Sequence, residues 1–217
     1  MHLSKNSIIS DVINSNPERI LIFDRFGIEF LTDPNISILQ ASLDKKIDLN
    51  TLIVELEKFE DGIGLLHDWQ NWSLDFLITY LLNNHHYKLK SALSSESINV
   101  KIKNITYELS IHLTKEEKMV FPYIRKIENI YNENLEFEYP NFGSIKKPIQ
   151  VLKKEHRVLC DELKRIIIED SDPGTGNLIH TIKNNFHIHV YLVENILFPR
   201  SIAIEEKLIE KTINTQT

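Results

Sequence analysis

His112-Leu-Thr-Lys-Glu-Glu-Lys-Met-Val-Phe-Pro122 occurs twice in this chain, the second time as His189-Val-Tyr-Leu-Val-Glu-Asn-Ile-Leu-Phe-Pro199. Both copies begin with His, end with Phe-Pro and match in length without a gap. A shorter echo pairs Asn84-His85-His86-Tyr87-Lys88-Leu89 with Lys154-Glu155-His156-Arg157-Val158-Leu159. One histidine therefore falls in each of four long amphipathic segments: His86, His112, His156 and His189. Such a set can converge inside a four-helix bundle, where side chains from facing helices build metal sites. In the first copy Glu116 follows His112 by about one helical turn and shares its face.

Working outward, Ser73 is placed to cap the first segment, whose apolar stripe is Leu74, Leu77, Ile78, Leu81, Leu82, Leu89 and Leu93. The second starts near Ser97 and carries Ile98, Ile102, Ile105 and Leu109 up to His112, then Met119, Val120, Ile124 and Ile127. Pro122 lies late in it and should kink the helix or reset its hydrogen-bond ladder. Tyr139-Pro140 and Asn141-Phe142-Gly143 break a polar connection. A third helix is expected from about Pro148 to Glu169, with His156 in phase with Leu152, Leu159 and Leu163. Asp172-Pro-Gly-Thr-Gly176 reads as a turn, and the fourth helix runs from about Asn177 towards Lys211. No segment alternates with period two for long enough to argue a sheet, so the fold class is all-α.

The leading sixty or so residues read as short helices with polar breaks. Ser7 to Asn14 forms one; Asn16-Pro17 opens a second that Gly27 ends; a third follows Pro34; Asp48 caps a fourth. Glu60-Asp-Gly-Ile-Gly64 reads as a linker. The organisation is thus a small helical domain over 1–60, a linker over 61–71 and an up-down four-helix bundle over 72–217.

A net charge of −6 argues against a nucleic-acid partner, because phosphate neutralisation needs a basic surface. No apolar run reaches membrane-spanning length, and the N-terminus lacks the layout of a secretory signal. The single cysteine, Cys160, excludes an intramolecular disulfide and reads as a small buried hydrophobe. A cytoplasmic protein without membrane attachment is the expectation.

A lone core-facing histidine is ordinarily a structural one. Four in phase, two inside duplicated frames, point instead to a metal, which satisfies several buried imidazoles at once. Mixed imidazole and carboxylate ligation leaves iron, manganese and zinc open.

These motifs resemble the hemerythrin-like domain: His112-x-x-x-Glu116 with Phe121-Pro122, His85-His86, Glu155-His156, and His189 with Leu197-Phe198-Pro199. Over nearly the whole chain the resemblance is to the repair-of-iron-centres family of di-iron proteins. Ile22-Phe-Asp-Arg-Phe-Gly-Ile-Glu-Phe30 and Asp48-Leu-Asn-Thr-Leu-Ile-Val-Glu-Leu56 look like that family's leading domain. The resemblance implies iron ligands at His86, His112, His156 and His189 and a bridging carboxylate at Glu116. It also implies a role in restoring iron–sulfur clusters after oxidative or nitrosative stress. O2 or NO would be small ligands, damaged iron–sulfur proteins would be partners, and the leading domain would be a dimer contact.

Two departures stand out. Where the family's leading domain carries two cysteines, this chain reads Leu31-Thr-Asp-Pro34, so no thiol chemistry is available there. The duplicate frame also puts Val193 opposite Glu116, and Glu194 opposite Glu117. On a regular helix Val193 faces the metals and Glu194 is turned aside by about 100°. One carboxylate under-compensates two divalent ions in a low-dielectric core. Three resolutions follow. A π-bulge near Tyr191 rotates Glu194 inward as a sixth metal ligand; an exogenous bridge or Glu155 supplies the charge; or the site holds one metal or none. His187 is a substitute ligand only if the helix register shifts, and His2, His67 and His180 are expected near solvent or helix ends. The functional expectation is an iron-binding stress-response protein rather than a classical turnover enzyme. The alternative is a regulatory or sensory binding module with a mono-metal or empty site.

Overall fold

Local capping chemistry sets where several of the helices begin. A computed structural model describes residues 3–31, 33–59, 69–94, 102–169 and 173–216, and the chain divides into two units, Met1–Trp72 and Ser73–Thr217. The expected linker at Glu60–Gly64, the start of a helix near Ser97, and His2 and His67 lie outside the described residues.

In the first unit α1 (Ile9–Ser15) leads through a 3-10 turn at Pro17–Arg19 into α2 (Ile20–Arg25), then α3 (Ile38–Asp44) and α4 (Leu49–Glu57). The Asn16 side chain accepts from the Glu18 N–H at 2.9 Å, with Pro17 at the first helical position. Asp48 accepts from the Thr51 N–H at 2.8 Å. Gly27 turns the chain after α2 at φ +67°, a left-handed conformation that costs glycine little. Ser37, a cap the pattern did not reveal, accepts from the Gln40 N–H at 3.1 Å. Ile9, Val12, Ile13, Ile20, Phe23, Ile38, Leu52 and Leu56 form the core. Buried Arg19 donates to the carbonyls of Leu56 (3.2 Å) and Phe59 (2.7 Å), tying α4 to the 3-10 turn.

The second unit is a four-helix bundle. Its first rod is α5 (Leu74–Leu81) running through a π-turn at Leu82–His86 into α6 (Tyr87–Leu93). The second is α7 (Lys103–Lys115), a π-turn at Glu116–Val120, and α8 (Phe121–Asn132). The third is α9 (Lys146–Glu169), and the fourth is α10 (Pro173–Leu192), a π-turn at Val193–Leu197, and α11 (Phe198–Gln216). Helix α5 packs beside α8 and α6 beside α7, so the first two rods run antiparallel, as do the first and fourth, where α6 meets α10. The segment read as a turn at Pro173–Gly176 is helical: Pro173 occupies the first helical position, where its missing N–H costs nothing. No helix among the described residues is long and apolar enough to cross a membrane.

The π-turns explain the duplicated Phe-Pro. Pro122 has no N–H to donate to the residue one turn back, and its ring would crowd that carbonyl in an α-helix. The ladder widens instead: the Phe121 N–H reaches Glu116, and the Phe198 N–H reaches Val193 ahead of Pro199. Duplication extends to buried helix caps. Glu128 accepts from the N–H groups of Leu74 (2.6 Å) and Asp75 (2.7 Å) at the start of α5. Glu205, its counterpart in the second copy, accepts from the Ile145 N–H (2.9 and 3.1 Å), Ser144 (2.5 Å) and Tyr123 (2.7 Å) at the start of α9. Together with burial, the bond to Glu205 pushes the Tyr123 hydroxyl well above its ordinary range.

Removing a buried charged acceptor strands its donors. Glu205→Ala should lower the unfolding free energy by about 2–3 kcal/mol in urea titrations followed by circular dichroism. Glu206→Ala, which removes an exposed pair with Lys146, should leave the unfolding free energy nearly unchanged.

Candidate metal centre

Each rod of the bundle contributes one fully buried imidazole. His86 closes the first π-turn, His112 lies in the last turn of α7, His156 is midway along α9, and His189 is near the end of α10; none is more than 1% exposed. Glu116 opens the second π-turn and is 0% exposed. Its two oxygens divide the histidines into pairs. Oε2 lies 3.2 Å from His86 Nε2 and 3.1 Å from His189 Nε2. Oε1 lies 3.8 Å from His112 Nε2 and 3.6 Å from His156 Nε2. The rings pair the same way, with centroids 4.9 Å apart for His86 and His189 and 4.5 Å apart for His112 and His156.

Three of the outward nitrogens have partners. His86 Nδ1 is 2.9 Å from Glu117, His112 Nδ1 is 3.0 Å from Glu155, and His156 Nδ1 is 2.8 Å from Glu194. A carboxylate behind the ring holds the proton on Nδ1 and leaves the Nε2 lone pair facing inward. Phenylalanines wall the rings. Phe121 sits 5.4 Å from His86 and its duplicate Phe198 sits 6.4 Å from His156, while Phe186 touches His112, His156 and His189.

Electrostatics follow from this packing. Burial alone would raise the Glu116 carboxyl, but the imidazoles of His189, His112 and His156 hold it well below the usual carboxylate range. Burial pushes His189 down to about 3, against the pull of Glu116, and lowers His112 as well. His156 is also desolvated, yet the nearby carboxylate of Glu116 and the hydrogen bond to Glu194 raise it. Glu117 and Glu155 are lowered against partial burial, chiefly by Lys90 and His86 for the first and by Lys115 and His112 for the second.

These residues fit a metal. Among the described residues none of the four Nε2 atoms, and neither oxygen of Glu116, has a hydrogen-bond partner, although all six are buried. Leaving so many inward polar atoms unpaired is costly. Ligand atoms from His112, Glu116, His156 and His189 lie within 4.8 Å of one another, a grouping that a small inward shift would bring to bonds of about 2.1 Å to a shared ion.

The other residues singled out in the sequence fall elsewhere. The fourth rod does have a π-turn, but it begins at Val193, so Val193 and Glu194 keep α-helical phase with His189. Val193 retains the inward position, 0% exposed and without a ligand atom. Glu194, expected as a sixth metal ligand through that bulge, instead stands behind His156 and meets the ring from outside. Glu155 likewise stands behind His112. His187 is buried but outside the cluster, His180 is exposed, and Cys160 is buried. Sequence reasoning missed Glu117, which lies in the charged run Lys115-Glu-Glu-Lys118. Its signal was the duplication, which keeps an acid at both Glu117 and Glu194.

Comparison with known proteins accords with this geometry. The family model described as the hemerythrin HHE cation binding domain matches residues 77–201. The chain is 21% identical over 225 residues to the iron–sulfur cluster repair protein YtfE of Edwardsiella ictaluri, covering 90% of this chain and 96% of that one. It is also 21% identical over 232 residues to proteins of the same name from Yersinia pseudotuberculosis and Yersinia pestis, covering 93% of this chain and 99% of each.

If the outer acids set ligand basicity, Glu117→Gln and Glu194→Gln should each weaken metal affinity about 10–100-fold. Competition with a chromophoric chelator measures the loss, while the circular dichroism spectrum should stay unchanged.

Proposed function

The chain belongs to the hemerythrin HHE cation-binding family, and on that footing we propose that its bundle is a non-haem iron centre serving repair of iron–sulfur clusters under oxidative or nitrosative stress. The observation that carries this reading is the set of six buried, inward-facing ligand atoms on His86, His112, His156, His189 and Glu116 without hydrogen-bond partners among the described residues. His86, His112, His156 and His189 would hold iron through Nε2, and Glu116 would join the two ends of the centre. Iron bound there would supply a ferrous–ferric redox change and a coordination position for O2 or NO. The protein's own contribution is orientation and exclusion of water. Glu117, Glu155 and Glu194 fix three of the rings in one tautomer, and Phe121, Phe186 and Phe198 keep the site apolar around the ligands. Damaged iron–sulfur proteins are the proposed recipients of this iron. The leading unit, lacking a cysteine, would serve them by docking rather than thiol chemistry.

Val193 favours a second reading, a sensory module holding one metal or none, because the second bridging carboxylate is replaced by a buried aliphatic side chain. Metal analysis separates the two. Protein purified anaerobically from iron-supplied cells should carry iron, and Val193→Glu should raise the iron content per chain. Iron-free protein that takes up no ferrous ion, together with an unresponsive Val193→Glu variant, would exclude the iron centre.

A further inference from the structure

Behind the imidazole rings the internal duplication is broken on one side of the centre only. At the Oε1 end both imidazoles lean on acids, His112 on Glu155 and His156 on Glu194. At the Oε2 end His86 leans on Glu117, but His189 Nδ1 is buried with no hydrogen-bond partner among the described residues. The short echo shows why. The residue aligned with Glu155 is His85, so an imidazole stands where the other half has a carboxylate. The His85 ring centre lies 6.4 Å from that of His189, and its Nδ1 is 2.6 Å from the Asn185 side-chain oxygen. Each of the three outer acids has a lysine near it, Lys115 on Glu155, Lys90 on Glu117 and Lys153 on Glu194, so the lysines do not offset the difference.

Two further observations point the same way. The group of ligand atoms lying within 4.8 Å of one another contains His112, His156, Glu116 and His189 but not His86. One buried carboxylate must also serve both ends, so a second divalent ion enters against the charge of the first with no new anion to meet it.

We propose that the two ends of the centre hold metal unequally. The first ion settles between His112, His156 and Glu116 Oε1, with His189 in reach, while the His86–His189 end is an exchangeable position from which iron is handed on. This rests on the bundle being a metal centre, and it adds which end releases. The missing acid behind His189 alone should make the second ion bind about 10–100-fold more weakly.

Cobalt(II) titration of the full-length, metal-stripped chain, read calorimetrically and by ligand-field absorption, tests the inference. The expected result is two steps separated by at least about tenfold, the weaker abolished in His86→Ala and the tighter in His156→Ala. His85→Glu, which restores an acid behind His189, should bring the steps closer by about tenfold. A measurement on the unaltered chain guards against variants that fail to fold. Anomalous scattering from crystals grown with a single equivalent of cobalt should place the ion at the His112–His156 end. Two equal steps, an ion at the His86–His189 end, or a folded His85→Glu variant with an unchanged separation would overturn the inequality while leaving a metal centre standing. Absence of any cobalt uptake would remove the metal centre and this inference together.

Discussion

One buried carboxylate surrounded by four imidazoles is the arrangement on which the rest of the bundle depends. Glu116 is fully enclosed, and every nearby ring turns its Nε2 towards it without forming a hydrogen bond. Were these side chains present only for structure, an apolar core of the same volume would serve better, since unpaired buried polar atoms each cost free energy. A bound ion reverses that balance, because it satisfies nitrogens and oxygens that have nothing else to bind. Such a site couples metal affinity to folding.

The duplication supplies the symmetry that makes this arrangement possible. Two helix-to-helix frames, each with a histidine, a π-turn and Phe-Pro, face two shorter elements that carry the other histidines. Phe121 packs by His86 and Phe198 by His156, and Glu128 and Glu205 cap equivalent helix starts. Against this background the breaks acquire meaning. Val193 stands where the first copy has Glu116, and His85 stands where the shorter echo has Glu155. Both leave less negative charge at the centre.

Much of this was legible in the sequence because helical period and repetition are strong signals. The caps at Asn16, Asp48 and Ser73, the four histidines and Glu116 all follow from spacing. What spacing does not encode is which nitrogen a ring presents, since that depends on the neighbouring helix. Glu117, Glu155 and Glu194 were therefore visible as acids but not as partners of Nδ1 atoms on other rods. The π-turn at Leu82–His86 has no proline to announce it, unlike the two ahead of Pro122 and Pro199. Glycine at 174 and 176 read as a turn because local propensity disfavours helix there, yet Pro173 starts α10. The long-range caps Glu128 and Glu205 became recognisable only once the two copies were superposed.

The most direct test of the central claim is X-ray absorption at the iron edge on the ferrous-loaded chain. The account predicts multiple-scattering features from imidazole rings together with a carboxylate oxygen, lost when His112 and His156 are both replaced by alanine. An all-oxygen shell unaffected by those replacements would show iron held on the surface and contradict a centre built inside the bundle.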